Sequence, residues 1–110
     1  MNVAPNILWP GKSGQEYTYW IYPINSSFKE EGGNYIFAKE TVPKKWIPVY
    51  IGQTENLNER LENHEKETCA KRNGATHIHA HINNDKNARL VEEKDLIIRW
   101  QPVCNEQLVG

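Results

Sequence analysis

The chain has 110 residues, the size of one ordinary domain. Apolar residues make up 38% and charged residues 25%, and four Trp, five Tyr and two Phe are more aromatics than a disordered tail carries. Thirteen basic against fourteen acidic groups leave a net charge of −1, which excludes a protein that coats nucleic acid by bulk charge but not an enzyme that touches a few phosphates.

Residues 1–16, with Pro5, Pro10, Gly11 and Gly14, read as an arm or irregular lead-in. Residues 17–22 are aromatic and β-prone, so a strand or extended packing segment is expected there. Lysine, two glutamates and two glycines at 29–33 signal a turn. Residues 34–39 then read as a strand, 41–46 as a loop and 49–52 as a second strand, together an antiparallel hairpin with a long connection. From Thr54 the period changes. Leu57, Leu61, His64 and Thr68 share one helical face, Asn56 with Glu59 has the form of a capping box while Thr54 is an equally good N-cap, and Asn73-Gly74 stops the helix. Residues 76–82 alternate as a third strand, and Asn83-Asn84-Asp85 caps a helix over 86–100 that Pro102 terminates. The expectation is an α/β (α+β) domain, a small, mainly antiparallel three-stranded sheet flanked by helices over residues 31–110. Residues 1–30 form an N-terminal extension packing on that core or mediating self-association.

No apolar run approaches the roughly 18 residues of a membrane-spanning helix, and residues 1–11 lack both the positive charge and the apolar stretch of a secretory signal. A cytoplasmic protein is therefore expected. Two cysteines make neither a disulfide framework nor a four-cysteine zinc site, so Cys69 and Cys104 are expected to be reduced.

Glu93 is the most informative position. On the last helix Leu90, Leu96, Ile97 and Trp100 form an apolar stripe with Glu93 in its middle, while Glu92, Asp95 and Arg99 supply the solvent face. A carboxylate on the core side costs several kcal/mol unless a cation or metal compensates it. It either snorkels out to a basic partner or serves as a metal ligand. Arg60 and His64, one turn apart, border the stripe of the first helix, so both helices turn an ionisable group toward a shared surface.

These residues carry a resemblance. Tyr50-Ile51-Gly52 leading to Leu57-Asn58-Glu59-Arg60 resembles the second half of the GIY-YIG nuclease signature. Gly33-Asn34-Tyr35 stands where the first half stands, Glu93 with Leu96-Ile97 is similar to the family's glutamate-bearing helix, and Pro102-Val103-Cys104-Asn105 to its closing proline-x-x-asparagine. The four motifs run in order over about residues 33–106. Asn34 replaces the usual aliphatic residue, and the stretch between Tyr35 and Tyr50 is longer than typical. Its extra residues, including Lys44, Lys45 and Trp46, are a candidate substrate contact.

The resemblance implies a metal-dependent endonuclease hydrolysing phosphodiester bonds in DNA, with catalytic residues Tyr35, Tyr50, Arg60, His64, Glu93 and Asn105. Glu93 would hold Mg²⁺ or Mn²⁺, Tyr35 would take the proton of the attacking water, and Tyr50 would position water or phosphate. Arg60 would stabilise the phosphoryl oxygens, His64 would bond the phosphate or share in proton transfer, and Asn105 would orient tyrosine or phosphate. A tyrosine titrating near pH ~10 is a poor base, and lowering it by about three units takes roughly 4 kcal/mol of neighbouring positive charge. Partners implied are DNA and a second copy or partner protein that supplies specificity.

Two other readings stand beside this one. His77, His79 and His81 share a strand face, but at about 6.5–7 Å per step a tight three-histidine zinc site needs a sharp swing, so a polar strand face is the simpler account. A catalytically inactive GIY-YIG-fold module binding nucleic acid or protein is favoured by the five glutamates at 55, 59, 62, 65 and 67. Against it, all six candidate catalytic residues are present together. Trp9, Trp20 and Trp100 read as packing residues.

Overall fold

A computed structural model describes residues 5–105. Expectations for residues 1–4 and 106–110 lie outside the described residues. The elements, in chain order, are β1 (Asn6–Pro10), β2 (Glu16–Pro23), β3 (Gly33–Val42), β4 (Lys45–Thr54), α1 (Leu57–Glu62), α2 (Glu67–Arg72), β5 (His77–Ile82) and α3 (Lys86–Trp100). All strand pairings are antiparallel, in the order β1-β2-β5-β3-β4.

The sheet thus has five strands rather than the expected three. The difference lies in the N-terminal stretch, where β2 pairs with β5 and brings β1 in behind it. Pro5 and Pro10 had argued against a strand, yet they flank an edge strand, where a missing N–H costs no ladder bond. The segment is bolted to α3. Asp95 accepts the Ser13 N–H (2.8 Å), the Ser13 hydroxyl (2.6 Å) and the Tyr17 hydroxyl (2.8 Å), and Trp100 Nε1 donates to Pro10 O (2.9 Å). Gly11 permits this approach, since a Cβ there would meet the Asp95 carboxylate at 2.0 Å.

The expected long helix after Thr54 is two short ones. Asn56 caps α1 by accepting the Glu59 N–H, as the capping pattern suggested. Asn63 then leaves the helical region, and His64 Nδ1 accepts the Lys66 N–H (2.9 Å) to form the turn before α2. Hydrophobic periodicity does not detect this break, because Leu57, Leu61 and His64 remain buried throughout it. The cysteines, expected as thiols, are joined in a Cys69–Cys104 disulfide that ties α2 to the segment after α3.

One sheet face carries Tyr35, Phe37, Ile78 and Ala80 beneath Leu57, Leu61 and Ala70 of α1 and α2. The other carries Ile36, Ala38, Ile51, Trp9 and Tyr19 beneath Leu96 of α3. On α3 the buried residues are Arg89, Glu92 and Leu96, whereas Leu90 is 40% exposed. The core-facing stripe is therefore rotated from the expected one. Glu92 lies inside rather than on the solvent face, accepting from the Tyr19 hydroxyl and bonded to His81 Nε2 (2.7 Å). Arg89 donates to Gln53 Oε1 (3.0 Å) and Asn83 O (2.9 Å), and Asn34, fully buried, donates to Arg89 O (3.0 Å). Polar partners from distant strands satisfy both buried charges, which apolar patterning alone would have placed outside.

Candidate active site

The first tyrosine is set by strand alternation. Tyr35 sits directly opposite Gly52 on β4, and Phe37 opposite Tyr50, so both tyrosines face α1. Gly52 is required for this arrangement. A Cβ at that position would lie 2.5 Å from the Tyr35 hydroxyl and 3.0 Å from Tyr50 Cε2, closer than carbon atoms approach. The rings of Tyr35 and Tyr50 are 6.2 Å apart, and His64 stands edge-on to both at 5.4 and 5.0 Å.

His64 Nε2 lies 2.6 Å from the Tyr35 hydroxyl oxygen. Because Nδ1 already accepts the Lys66 N–H, the neutral ring carries its proton on Nε2 and donates it to that oxygen. Burial, with the Arg60 charge adding to it, depresses the His64 pKa to about 4, so the ring is neutral at physiological pH. With both nitrogens engaged and the side chain buried, His64 supports Tyr35 and is not presented to a phosphate.

Burial raises the Tyr35 pKa above the ordinary phenol value, and the neighbouring Tyr50 adds to this, while the charge and hydrogen bonding of Arg60 pull it down. Tyr50 follows the same pattern, raised by burial and lowered by Arg60. Arg60 also bonds Glu65 at 3.1 Å in a largely solvent-exposed pair of low energetic weight. Glu93 approaches from α3. Half-buried, it accepts the Gln53 N–H and adds its charge to the field at both tyrosines, and its own pKa is raised by burial. Tyr35, Tyr50 and His64 therefore cluster with Arg60 beside them, and Glu93 adds its charge to their field from α3 by way of Gln53.

Asn105 lies behind this cluster. Its Oδ1 accepts the Ile51 N–H (2.9 Å) and its Nδ2 donates to Ile51 O (2.8 Å), while Cys104 N–H donates to Val49 O (3.0 Å). The closing segment thus braces the edge of β4 on either side of Tyr50, and the Asn105 amide bonds backbone rather than tyrosine.

Lys44, Lys45 and Trp46 are not part of the cluster. The expected loop is a continuation of both strands into a tight hairpin with Lys44 left-handed at its tip (φ 67°). A bulge at Val49, between the Phe37–Tyr50 and Ala38–Pro48 pairs, reverses the side-chain alternation. Trp46 consequently packs on the α3 side, edge-on to His77 (4.9 Å) and His79 (4.6 Å), while Lys44 and Lys45 are exposed at the tip.

The three strand histidines have separate fates. His79 is fully buried and accepts the Trp9 Nε1–H (3.0 Å), His77 bonds the Thr76 hydroxyl (2.7 Å), and His81 pairs with Glu92. Among the described residues no group of three or more His, Cys, Asp or Glu could hold a metal ion, and no helix is long and apolar enough to cross a membrane. Sequence patterning missed the Tyr19–Glu92–His81 chain, the disulfide and the Asn105 clamp. Of these only Asn105 carried a signal, the closing proline-x-x-asparagine motif, which does not show that its partner is the Ile51 backbone.

No protein-family model and no curated relative matches the chain. Among solved structures it is similar to the GIY-YIG N-terminal endonuclease domain of UvrC from Thermotoga maritima. The magnesium-bound form is 24% identical with a TM-score of 0.58, the match covering 71% of this chain and 86% of that one. A point mutant bound to its catalytic divalent cation is 23% identical, also with a TM-score of 0.58, over 72% of this chain and 87% of that one. At this level of identity the likeness establishes architecture, and with the sheet and helices described above it shows that the chain has a GIY-YIG nuclease-like fold.

Proposed function

We propose that the protein is a divalent-cation-dependent endonuclease that hydrolyses phosphodiester bonds in DNA. The observation carrying this reading is the cluster of Tyr35, Tyr50 and His64 with Arg60 beside it, in the field of Glu93, a carboxylate kept half-buried on the Gln53 N–H. The similar domains of Thermotoga maritima are endonuclease domains bound to a catalytic divalent cation, which supports it.

The donor chemistry fits a hard cation. One carboxylate whose burial penalises its own charge, without histidine or thiolate companions, suits Mg²⁺ or Mn²⁺ completed by water and phosphate oxygens, and not zinc. Glu93 would hold the ion. When bound, such a cation polarises the scissile phosphate and offsets charge on the leaving oxygen.

The remaining chemistry belongs to side chains. Tyr35 takes the proton of the attacking water as that water adds to phosphorus and the bond to the leaving oxygen breaks. Its oxygen receives the His64 N–H and feels the Arg60 charge, two donors that favour a phenolate, whereas burial opposes it. Ionisation therefore belongs to the loaded complex, where positive charge is added. Arg60 exchanges its exposed Glu65 partner for phosphoryl oxygens, which it can grip in bidentate fashion. Tyr50, braced by Asn105 on Ile51, positions water or phosphate.

Labelled duplex, branched and single-stranded DNA incubated with wild type and Tyr35→Phe, in Mg²⁺ and in EDTA, tests this. Cutting that requires Mg²⁺ and falls at least about 100-fold in Tyr35→Phe is expected. Cutting that persists in EDTA or in folded Tyr35→Phe refutes the mechanism. The acidic surround of Arg60 (Glu55, Glu59, Glu62) favours a second reading, an inactive binding module, which a folded wild type with affinity but no cutting would establish.

A further inference from the structure

A concavity of about 830 Å³ lies outside the candidate active site, where β2 runs alongside β5. Trp20, Tyr22 and Ile82 line it together with Leu57, and Phe28, edge-on to Tyr22 at 5.3 Å, forms a wall. Neither the Trp20 indole N–H nor the Tyr22 hydroxyl has a hydrogen-bond partner among the described residues, and both side chains are half-buried. Lys29 stands at one side, with the Ser27 hydroxyl. Glu16 and Glu92 also line it, Glu92 being buried and held by Tyr19 and His81.

We propose that this groove binds a nucleotide of the substrate strand, its base stacked on Trp20. This rests on the nuclease reading above. Two observations favour that occupant over an apolar peptide. The lining is aromatic with free polar edges, which suits a ring having both a π-face and in-plane acceptors. Tyr35, Ala80 and Trp20 also form one row across three adjacent strands, on the same face. Two strand spacings put Trp20 about 10 Å from Tyr35, or about three steps of a stacked strand at ~3.4 Å each. A strand whose phosphate meets Tyr35 therefore extends to Trp20, and the β1–β2 pair, which creates the groove, contributes to substrate choice.

Anisotropy of a labelled single-stranded oligodeoxynucleotide in EDTA, with an abasic spacer moved along it one position at a time, tests this on the wild-type protein. One position is expected to weaken binding about 5- to 100-fold. Trp20→Ala should show the same loss on the intact strand and no further loss at that position, and Trp20→Phe should keep most of the affinity. A flat abasic scan, no binding of nucleic acid at all, or wild-type affinity in folded Trp20→Ala overturns the groove assignment. So does self-association in sedimentation that Trp20→Ala abolishes, since a second copy would then fill the groove. Cleavage is measured in parallel with Glu93→Gln. Glu93-dependent cutting with a flat scan defeats the groove alone, and a Trp20-dependent scan without cutting defeats the nuclease reading alone.

Discussion

Reduction of the Cys69–Cys104 disulfide is expected to be the most costly mild perturbation of this fold. The bond closes a loop across a sequence separation of 35. Chain entropy alone, about 2.1 + 1.5R ln 35 ≈ 13 cal/mol/K, then amounts to about 4 kcal/mol at 25 °C. Domains of this size are stable by only about 5–15 kcal/mol, and each kcal/mol moves Tm by roughly 4–8 °C. The reduced protein should therefore melt on the order of 15–30 °C lower. The loss has a local consequence as well. Cys104 and Asn105 brace β4 at Val49 and Ile51, on either side of Tyr50, and the disulfide anchors that brace to α2. Thermal denaturation with and without reductant, alongside a Cys69→Ser/Cys104→Ser variant, measures both effects, with cleavage followed at a temperature where all forms are folded. The variant should match the reduced wild type in Tm and lose activity beyond its loss of folded fraction. Equal Tm values for oxidised and reduced protein would refute the argument, and so would a lowered Tm with undiminished cleavage for its second half.

Gly52→Ala forces a Cβ to within 2.5 Å of the Tyr35 hydroxyl. It should cost about 1–3 kcal/mol as overpacking and about 100-fold in cleavage by displacing the ring. A Tm and rate at wild-type levels would show that the site is loose. The depressed His64 pKa, about 4 when folded against 6.5 unfolded, means that the unfolded chain binds more protons between these values. Its contribution is present above pH 6.5 and is lost as pH falls toward 4, roughly 2–3 kcal/mol between pH 7.5 and 4.5. Urea denaturation of wild type and His64→Gln at both pH values should show a smaller pH dependence in the variant, and parallel profiles would contradict the assignment. Arg60→Lys keeps the charge but loses the bidentate fork, so single-turnover cleavage should fall about 10- to 100-fold with little change in Tm.

The parts of the fold legible in the sequence are those whose signals are local. Strand-prone runs marked β3 and β4 and alternation marked β5, Asn56 is one of the two caps read for α1 and Asp85 lies in the run read as the cap of α3, and the YIG motif pointed to the tyrosine pair. What was not legible depends on partners remote in sequence. β1 has prolines at its flanks and becomes a strand because β2 offers an edge. Glu92 reads as a surface residue until Tyr19 and His81, 73 and 11 positions away, close around it. The register of Trp46 is set by a one-residue bulge that no periodicity displays. The candidate site stands between these extremes. Glu93 was conspicuous as a charge beside apolar neighbours, and the structure gives it a backbone donor at Gln53. Asn105 was conspicuous only through its motif, and its contact is with the Ile51 backbone rather than a substrate.

Metal-dependent cleavage hinges on Glu93, and its most direct test is the single-turnover rate of Mg²⁺-dependent cleavage by Glu93→Gln relative to wild type, with both shown to be folded. The substitution keeps the size of the side chain and removes its charge, so cleavage should fall by at least about 1,000-fold, equivalent to roughly 4 kcal/mol of transition-state stabilisation. Cleavage within a few-fold of wild type would contradict the account.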